Sequence, residues 1–344
     1  MIDFRYHLVS IVAVFLALAI GIVLGATELQ GTTIDSLRTL SNSLHSQLVA
    51  AQNQRDANAQ QETASEQFLQ AAEPQLIGGR LTGDSVVIVT EPGAPGSVVD
   101  GIKQAAGVAG ATVTGQVALQ PKFYDISGAT QSSLGTINTS IAGADATVLT
   151  EASDPRTGYQ QQAAQLIATA ILDKTAGDVG LTATSAQTLL SAYAQGGYLS
   201  VSGTPTDRAT IAVIVTPQAA PSDGPNDPAN RVLLAVAQEF AVASAATLVA
   251  GGTTESAQAG SAISVLRSSS VSGQVSSVDN ADSALGQISV AEALAVQVKG
   301  GKPNSYGISG ASAVSPLPLP SPAVTATATG TPHPRATVKG VKKT

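Results

Sequence analysis

The sequence predicts a membrane-anchored protein of the α/β class, whose domain is built on a mostly parallel sheet. Three features lead to this prediction: an uncharged apolar stretch near the N-terminus, a polar segment with helical periodicity, and a long alternation of short apolar strands with helices. A proline-rich tail follows. We therefore divide the chain into a cytoplasmic tail (1–7), a transmembrane anchor helix (8–26), a helical coiled-coil stalk (27–75), an α/β domain (82–310) and a disordered tail (311–344).

The anchor is predicted from the stretch Leu8–Ala26, which carries no charged side chain. At about 1.5 Å per helical residue, its length matches the roughly 30 Å hydrocarbon core of a bilayer. Its large apolar residues are Leu8, Val9, Val14, Phe15, Leu16, Leu18, Ile20, Ile22, Val23 and Leu24. A buried helix and a cleaved signal peptide are alternatives, but a signal has a shorter apolar core, and Leu24 stands where a small residue should precede cleavage. We therefore expect an uncleaved single-pass anchor in the cell membrane or envelope, with the C-terminal domain outside the cytoplasm.

The stalk is predicted from apolar residues spaced by three, four and seven positions, which are typical of a heptad seam. They are Ile34, Leu37, Leu44 and Leu48, and no proline occurs in this segment before Pro74. Later core positions are polar, which weakens a coiled coil. Three interpretations therefore stay open: a solvated stalk, a self-pairing coiled coil that makes a homo-oligomer, and a helix that binds a helical protein partner.

The α/β domain begins after Pro74 and the Gly78–Gly79 pair, which we expect to end the stalk helix. The apolar run Val86–Val89 predicts a buried strand. A helix capped by Ser97 and a second strand at Ala111–Leu119 complete a βαβ unit, which implies a parallel sheet. Further strands are predicted at Ala146–Leu149, Ile211–Val215, Ala246–Val249 and Gln274–Val278, and further helices at Tyr159–Leu172, Ser185–Ala194, Asn230–Ala243, Gly260–Ser268 and Ser289–Lys299.

Carboxylates follow several predicted strands, at the edge where α/β folds place their sites. They are Asp84, Glu91, Glu151, Asp154, Asp279 and Asp282. The pair Asp279 and Asp282 lacks the spacing of a calcium loop, so we expect a turn and a helix cap there. The loop Gly93–Gly96 lacks the phosphate-binding glycine patterns and contains prolines, so we expect a plain turn.

Catalytic chemistry is poorly supplied. The chain has no cysteine, and beyond the anchor its histidines are His45 on the stalk and His333 in the tail. No Ser-His-Asp set can therefore be assembled in the domain, and we predict a protein that is not an enzyme and needs no cofactor. Metal ligands cannot be named. The formal net charge of −7 disfavours nucleic acid as a partner. The tail ends in basic residues, which favour either a solvated tail or contact with an anionic surface.

The residues from Arg5 to Gly25 resemble the start of the MctB family of actinobacteria, which has a short basic tail and a membrane helix ending in Leu-Gly. The segment Val278–Asp282 with Gly286, and the segment Asn304–Gly307, are similar to that family's end motifs. The resemblance implies a role in copper homeostasis and copper transport, attributed to a channel-forming envelope protein. It also suggests an alternative, a non-catalytic scaffold or regulator of the envelope and division machinery acting through the stalk. The continuous apolar strands favour this alternative, because a β-barrel pore needs alternating strands with aromatic girdles.

Overall fold

We analysed a computed structural model of the chain, which describes residues 4–145, 149, 154–175, 181–219 and 223–310. The chain divides into two units, Met1–Phe68 and Leu69–Thr344. The tail 311–344, all but the last residue of the predicted strand Ala146–Leu149, and Glu151 lie outside the described residues.

One continuous helix, α1 (Phe4–Ile77), carries the predicted anchor and stalk. Its apolar part, Phe4–Ala26, is long enough to cross a membrane and begins four residues earlier than predicted. The helix continues through Pro74 and ends at Ile77, directly before the Gly78–Gly79 pair that is expected to end it together with Pro74. A proline at this position loses the hydrogen bond of its missing N–H, and its ring crowds the carbonyl four residues earlier, but only three helical residues follow it. The helix ends where Gly79 adopts a φ of 73° and the Gly78 amide donates to the Pro74 carbonyl (3.1 Å).

The second unit is built on a seven-stranded sheet with the order β3-β2-β1-β4-β5-β6-β7. Every neighbouring pair is parallel except β2 and β3. This confirms the predicted mixed α/β class with a mostly parallel sheet. The strands are β1 (Ser85–Thr90), β2 (Thr112–Leu119), β3 (Leu199–Gly203), β4 (Ile211–Val215), β5 (Ala246–Ala250), β6 (Ser276–Val278) and β7 (Ser305–Tyr306).

Helices cover both faces of this sheet. They are α2 (Gly96–Val108), α3 (Gly128–Asp145), α4 (Gly158–Ile171), α5 (Ala183–Gln195), α6 (Pro228–Ala243), α7 (Thr253–Ser256), α8 (Ala262–Ser268) and α9 (Ala284–Val298). One apolar core joins α3, α4, α5, α6 and α8 to one face, and the other joins α2, α9 and the last turns of α1 to the opposite face. Successive side chains of β1 point to opposite faces of the sheet and so contribute to both cores. Val87 and Val89 pack in the first core, and Val86 and Ile88 pack in the second.

Four of these helices and strands escape the sequence prediction, namely α3, the short helix α7, the antiparallel strand β3 and the short strand β7. Two helix starts are also misplaced. The N-cap of α2 is Pro95 rather than Ser97, and no side chain caps this helix. Helix α9 begins five residues before the predicted start, because the Ser283 hydroxyl accepts the Gly286 amide (3.1 Å) and caps it there.

Candidate functional site

The sheet reverses its winding between β1 and β4, because the chain moves from β1 outward to β2 and later returns to β4 on the other side of β1. In open α/β sheets, ligands bind at the carboxyl ends of the strands beside such a switch point. A crevice of about 70 Å³ lies there. It is lined by Pro95, Ser97 and Val98 at the start of α2, and by Gln218, Gly252, Thr254, Glu255 and Asp282.

Glu255 is the most buried titratable group of the crevice, with none of its surface exposed. One carboxyl oxygen accepts the Ala262 amide (2.9 Å) at the start of α8, and the other accepts the Ser256 hydroxyl (3.2 Å). Burial raises the pKa of Glu255, and these hydrogen bonds, with one from Thr216, oppose the rise. The side chain therefore ties the strand end to α8.

Glu91 follows β1 and is 6% exposed. Burial raises the pKa of its carboxyl group to about 8, the Tyr124 hydroxyl beside it lowers the pKa, and the like charge of Glu255 raises it further. At neutral pH this carboxyl group is therefore mainly protonated. Burial, together with the neighbouring Glu91, also raises the pKa of Tyr124. The group can therefore exchange a proton close to neutral pH.

The loop before α2 is a turn, as predicted. Gly93 has a φ of 87°, and the Ala94 amide donates to the Glu91 carbonyl (3.1 Å). The carboxylates Glu255 and Asp282 line the same crevice, so an anionic phosphate would meet like charge there.

The acidic group after β6 also proves to be structural. Asp279 is fully buried and accepts the Ile308 amide (2.7 Å), the Ser309 amide (2.8 Å) and the Arg267 guanidinium (2.8 Å). Asp282 accepts the amide (3.1 Å) and the hydroxyl (2.9 Å) of Thr253 at the start of α7. The expected turn is present, but Ser283 caps the helix that follows it, and Asp282 instead holds the first residue of α7. Within the described residues, no group of three or more His, Cys, Asp or Glu side chains is placed to hold a metal ion.

The segments Val278–Asp282 and Asn304–Gly307 meet, because β6 and β7 pair in parallel with Val278 opposite Tyr306. Arg267 joins them by donating to the carbonyls of Tyr306 (2.7 Å) and Ser309 and to the Ser277 hydroxyl (3.0 Å). Gly307 has a φ of 125°, and a Cβ atom there would fall on the Asp279 carboxylate. We call this arrangement of Arg267, Asp279 and residues 306–309 the C-terminal clasp.

The predicted anchor side chains lie along the first turns of α1 and are not buried within the chain. Their exposures range from 51% at Ile20 to 66% at Val9. In the stalk, Leu37, Leu44 and Leu48 are exposed by 60%, 56% and 56%, while the side chain of Ile34 lies outside the description. No second helix in the described residues covers this stripe, so its pairing stays a prediction.

Larger cavities flank α3, with volumes of about 310 Å³ and 620 Å³. Hydroxyl-bearing and apolar side chains line them, and Tyr159 is their one ionisable lining residue. The sequence interpretation missed Tyr124, Glu255 and Arg267. For Glu255 a signal existed, because this residue follows the predicted strand Ala246–Val249. Asp84, which the sequence interpretation counts among the carboxylates after strands, instead lies at the amino end of β1.

Comparison with known proteins shows which family the chain resembles along most of its length. Residues 1–316 match the family described as "Copper transport outer membrane protein, MctB". Proteins named copper transporter MctB from Mycobacterium tuberculosis and Mycobacterium bovis are 32% identical over 92% of this chain and 98% of theirs. The protein of the same name from Mycobacterium leprae is 29% identical over 92% of this chain and 99% of its own.

Proposed function

The chain belongs to the MctB family, and we propose that it serves copper transport and copper homeostasis as a membrane-anchored envelope protein without a catalytic centre. The observation that carries the proposal is the extent of the family match, since one model covers both the apolar helix and the α/β domain. The relatives that share this architecture are named copper transporters. In this proposal the copper ion is the transported substrate.

We further propose that residues 8–26 stay attached as the anchor and that the α/β domain lies outside the cytoplasm. The apolar side chains of Phe4–Ala26 find no cover within the chain, which supports their burial in lipid. This topology predicts an intact N-terminus in the mature protein. It also predicts that protease added to intact cells whose outer envelope has been permeabilised cleaves the domain. A mature N-terminus near residue 27, or a protected domain, would contradict it.

We propose that the domain acts on copper by contact with other molecules rather than by tight binding of Cu(I). Between Arg80 and Gly310 the sequence contains neither cysteine nor histidine, and soft sulfur ligands are the ones that select Cu(I). Two of the buried carboxylates are already used within the protein, since Asp279 belongs to the C-terminal clasp and Glu255 holds α8. The exposed leucines of the stalk support a role in association. The alternative of a division or envelope scaffold stays a prediction.

The test is the copper content of cells that lack the gene. We expect the deletion to raise cellular copper and copper sensitivity, and the full chain to restore both. A matched variant, in which a cleavable signal replaces residues 1–26, should export the domain and fail to restore copper levels. Unchanged copper content in the deletion strain would refute the proposed function, and rescue by the released domain would refute the need for the anchor.

A further inference from the structure

Strand β3 forms one edge of the sheet, and among the described residues it pairs with β2 alone and has no strand on its other side. Four of its five residues, Ser200 to Gly203, are exposed. The opposite edge is very different, because β7 has two residues and the C-terminal clasp spans it.

The backbone groups on the open side can be assigned from the register. Gln116 lies opposite Ser202 and Ala118 opposite Ser200, and the flanking amides of Thr204 and Gln120 donate to Thr114 (2.8 Å) and Tyr198 (2.9 Å). Hydrogen-bonded pairs in an antiparallel ladder recur at every second residue. The N–H and C=O groups of Ser200 and Ser202 therefore face β2, while those of Leu199, Val201 and Gly203 point away from the sheet.

This edge has none of the usual protection against pairing. Natural sheets blunt an exposed edge with charge, proline, a bulge or a covering element. The sequence Leu-Ser-Val-Ser-Gly has no charge and no proline, its register with β2 does not shift although Gly203 has a φ of 73°, and no described strand lies beyond it in the sheet. The edge is therefore competent to accept another strand.

We propose that β3 pairs in antiparallel fashion with β3 of a second copy of this chain, so that two sheets become one across a two-fold axis at Val201. Centring the pair on Val201 uses all three outward residues, because Val201 then faces its own counterpart and Leu199 faces Gly203. The small side chains of the strand let two copies approach closely.

The charged residues at the two ends of β3 favour a second copy of this chain as the molecule that pairs with the edge. The chain carries a formal net charge of −7, but β3 carries no charge, so two copies that meet at this edge bring no like charges of the strand together. Lys122 lies at the amino end of β3, where its Nζ donates to the Gly196 carbonyl (2.8 Å) and covers the Tyr198 ring. Asp207 follows the carboxyl end of the strand and is exposed. Antiparallel pairing brings the amino end of one strand to the carboxyl end of the other, and therefore Lys122 towards Asp207.

The absence of cysteine from the sequence permits a direct test in the full chain. Val201→Cys should form an intermolecular disulfide on mild oxidation in native membranes, because hydrogen-bonded antiparallel pairs have Cα atoms about 5.5 Å apart, within the range of a disulfide. Val242→Cys on α6, which is 61% exposed, is the matched control and should crosslink several-fold more slowly. Ser200→Cys tests the register, since in the proposed pair it faces Ser202 of the other copy and not itself.

The expected order of crosslinking rates is therefore Val201→Cys well above both Ser200→Cys and Val242→Cys. Circular dichroism of each purified variant checks that the fold is retained. A rate for Val201→Cys no higher than that for Val242→Cys would overturn the proposal. Fastest crosslinking through Ser200→Cys would overturn the two-fold at Val201. Because the readout is the position of the crosslink, association through the stalk alone, which does not bring one Val201 to the other, would not mimic the expected result.

Discussion

At the scale of single residues, the acidic group that most resembles a cation site is a structural clasp. The Asp279 carboxylate is surrounded by two backbone amides and a guanidinium, so its acceptor positions are used within the protein. Asp279 forms a buried ion pair with Arg267, in which the Arg267 side chain is 12% exposed and the Asp279 side chain 0%. Removing one partner of such a pair leaves a charge without compensation in a medium of low dielectric constant.

We therefore expect Asp279→Asn to lower the free energy of unfolding by about 3 kcal/mol, near the lower end of the cost of breaking a buried ion pair. The matched variant Asp282→Asn keeps an acceptor oxygen for the exposed start of α7, since asparagine caps a helix about as well as aspartate, and should cost well under about 1 kcal/mol. Urea unfolding of residues 69–344 measures both. Equal losses in the two variants would show that the clasp does not carry the C-terminal segment.

Glu91 makes stability depend on pH. Its pKa is raised from 4.5 to about 8 in the folded protein, so the folded state holds a proton that the unfolded state has lost. Its contribution to stability is complete below pH 4.5 and is lost as the pH rises towards 8. Glu255, whose pKa is also raised, acts in the same direction.

For Glu91→Gln, we expect the fall in unfolding free energy between pH 5 and pH 8 to become shallower than in the wild type, because glutamine does not titrate. Denaturant titrations at intervals of one pH unit measure this slope. Asp100→Asn, an exposed carboxyl on α2, is the control and should leave the slope unchanged. A wild-type slope in Glu91→Gln would place the pH dependence elsewhere.

At the scale of elements, α1 combines two environments in one helix of 74 residues. Its first part is apolar on all sides, while its middle part is polar apart from one stripe of leucines. Leu37, Leu44 and Leu48 lie in the unit that contains no part of the α/β core, so the folding of that core does not need them. An apolar stripe on a polar helix is a surface for another helix.

Replacing Leu37 and Leu44 by Ser should abolish crosslinking through the stalk or capture of a helical partner, because each fully buried leucine contributes about 1.5 to 3 kcal/mol to association. The melting temperature of the α/β domain should not change. Replacing the exposed Gln60 and Gln67 of the same helix by Ser is the control and should leave association intact. If the variant with both leucines replaced still associates and fully complements a deletion strain, the prediction is contradicted and the stalk acts only as a spacer.

At the scale of the whole molecule, the carboxyl edge of the sheet is acidic and hydroxyl-rich, and the described part of the domain places hard oxygen atoms where ligands bind in this fold class. Such oxygen atoms suit a soft ion poorly. We therefore expect a copper phenotype of this chain to depend on the molecules that it contacts in the membrane rather than on a copper site in this domain.

We accordingly expect purified residues 69–344 to bind Cu(I) weakly at most, in competition with a chromogenic Cu(I) chelator. The full chain in detergent, which adds His7 and His45, is the comparison. Stoichiometric, sub-micromolar binding by the domain would contradict this expectation, whereas weak binding would be compatible with a copper phenotype in cells.

What the sequence determined by itself is local. The apolar N-terminal helix, the buried strands β1 and β4 and the helices α4 and α6 could be predicted because length and apolar periodicity record the environment of each residue along its own segment. The family end motifs were also recognisable from the residues alone, although the clasp that they form was not.

Only the tertiary structure decided the rest, because it depends on contacts between residues far apart in the chain. Strand β3 is rich in serine and becomes a strand through its backbone pairing with β2. Helix α3 has a weak pattern of small polar residues and is held by packing on α4 through residues such as Leu134. Glu91 and Glu255 face each other only because β1 and β5 end at the same edge of one sheet, and no periodicity within either segment encodes that meeting.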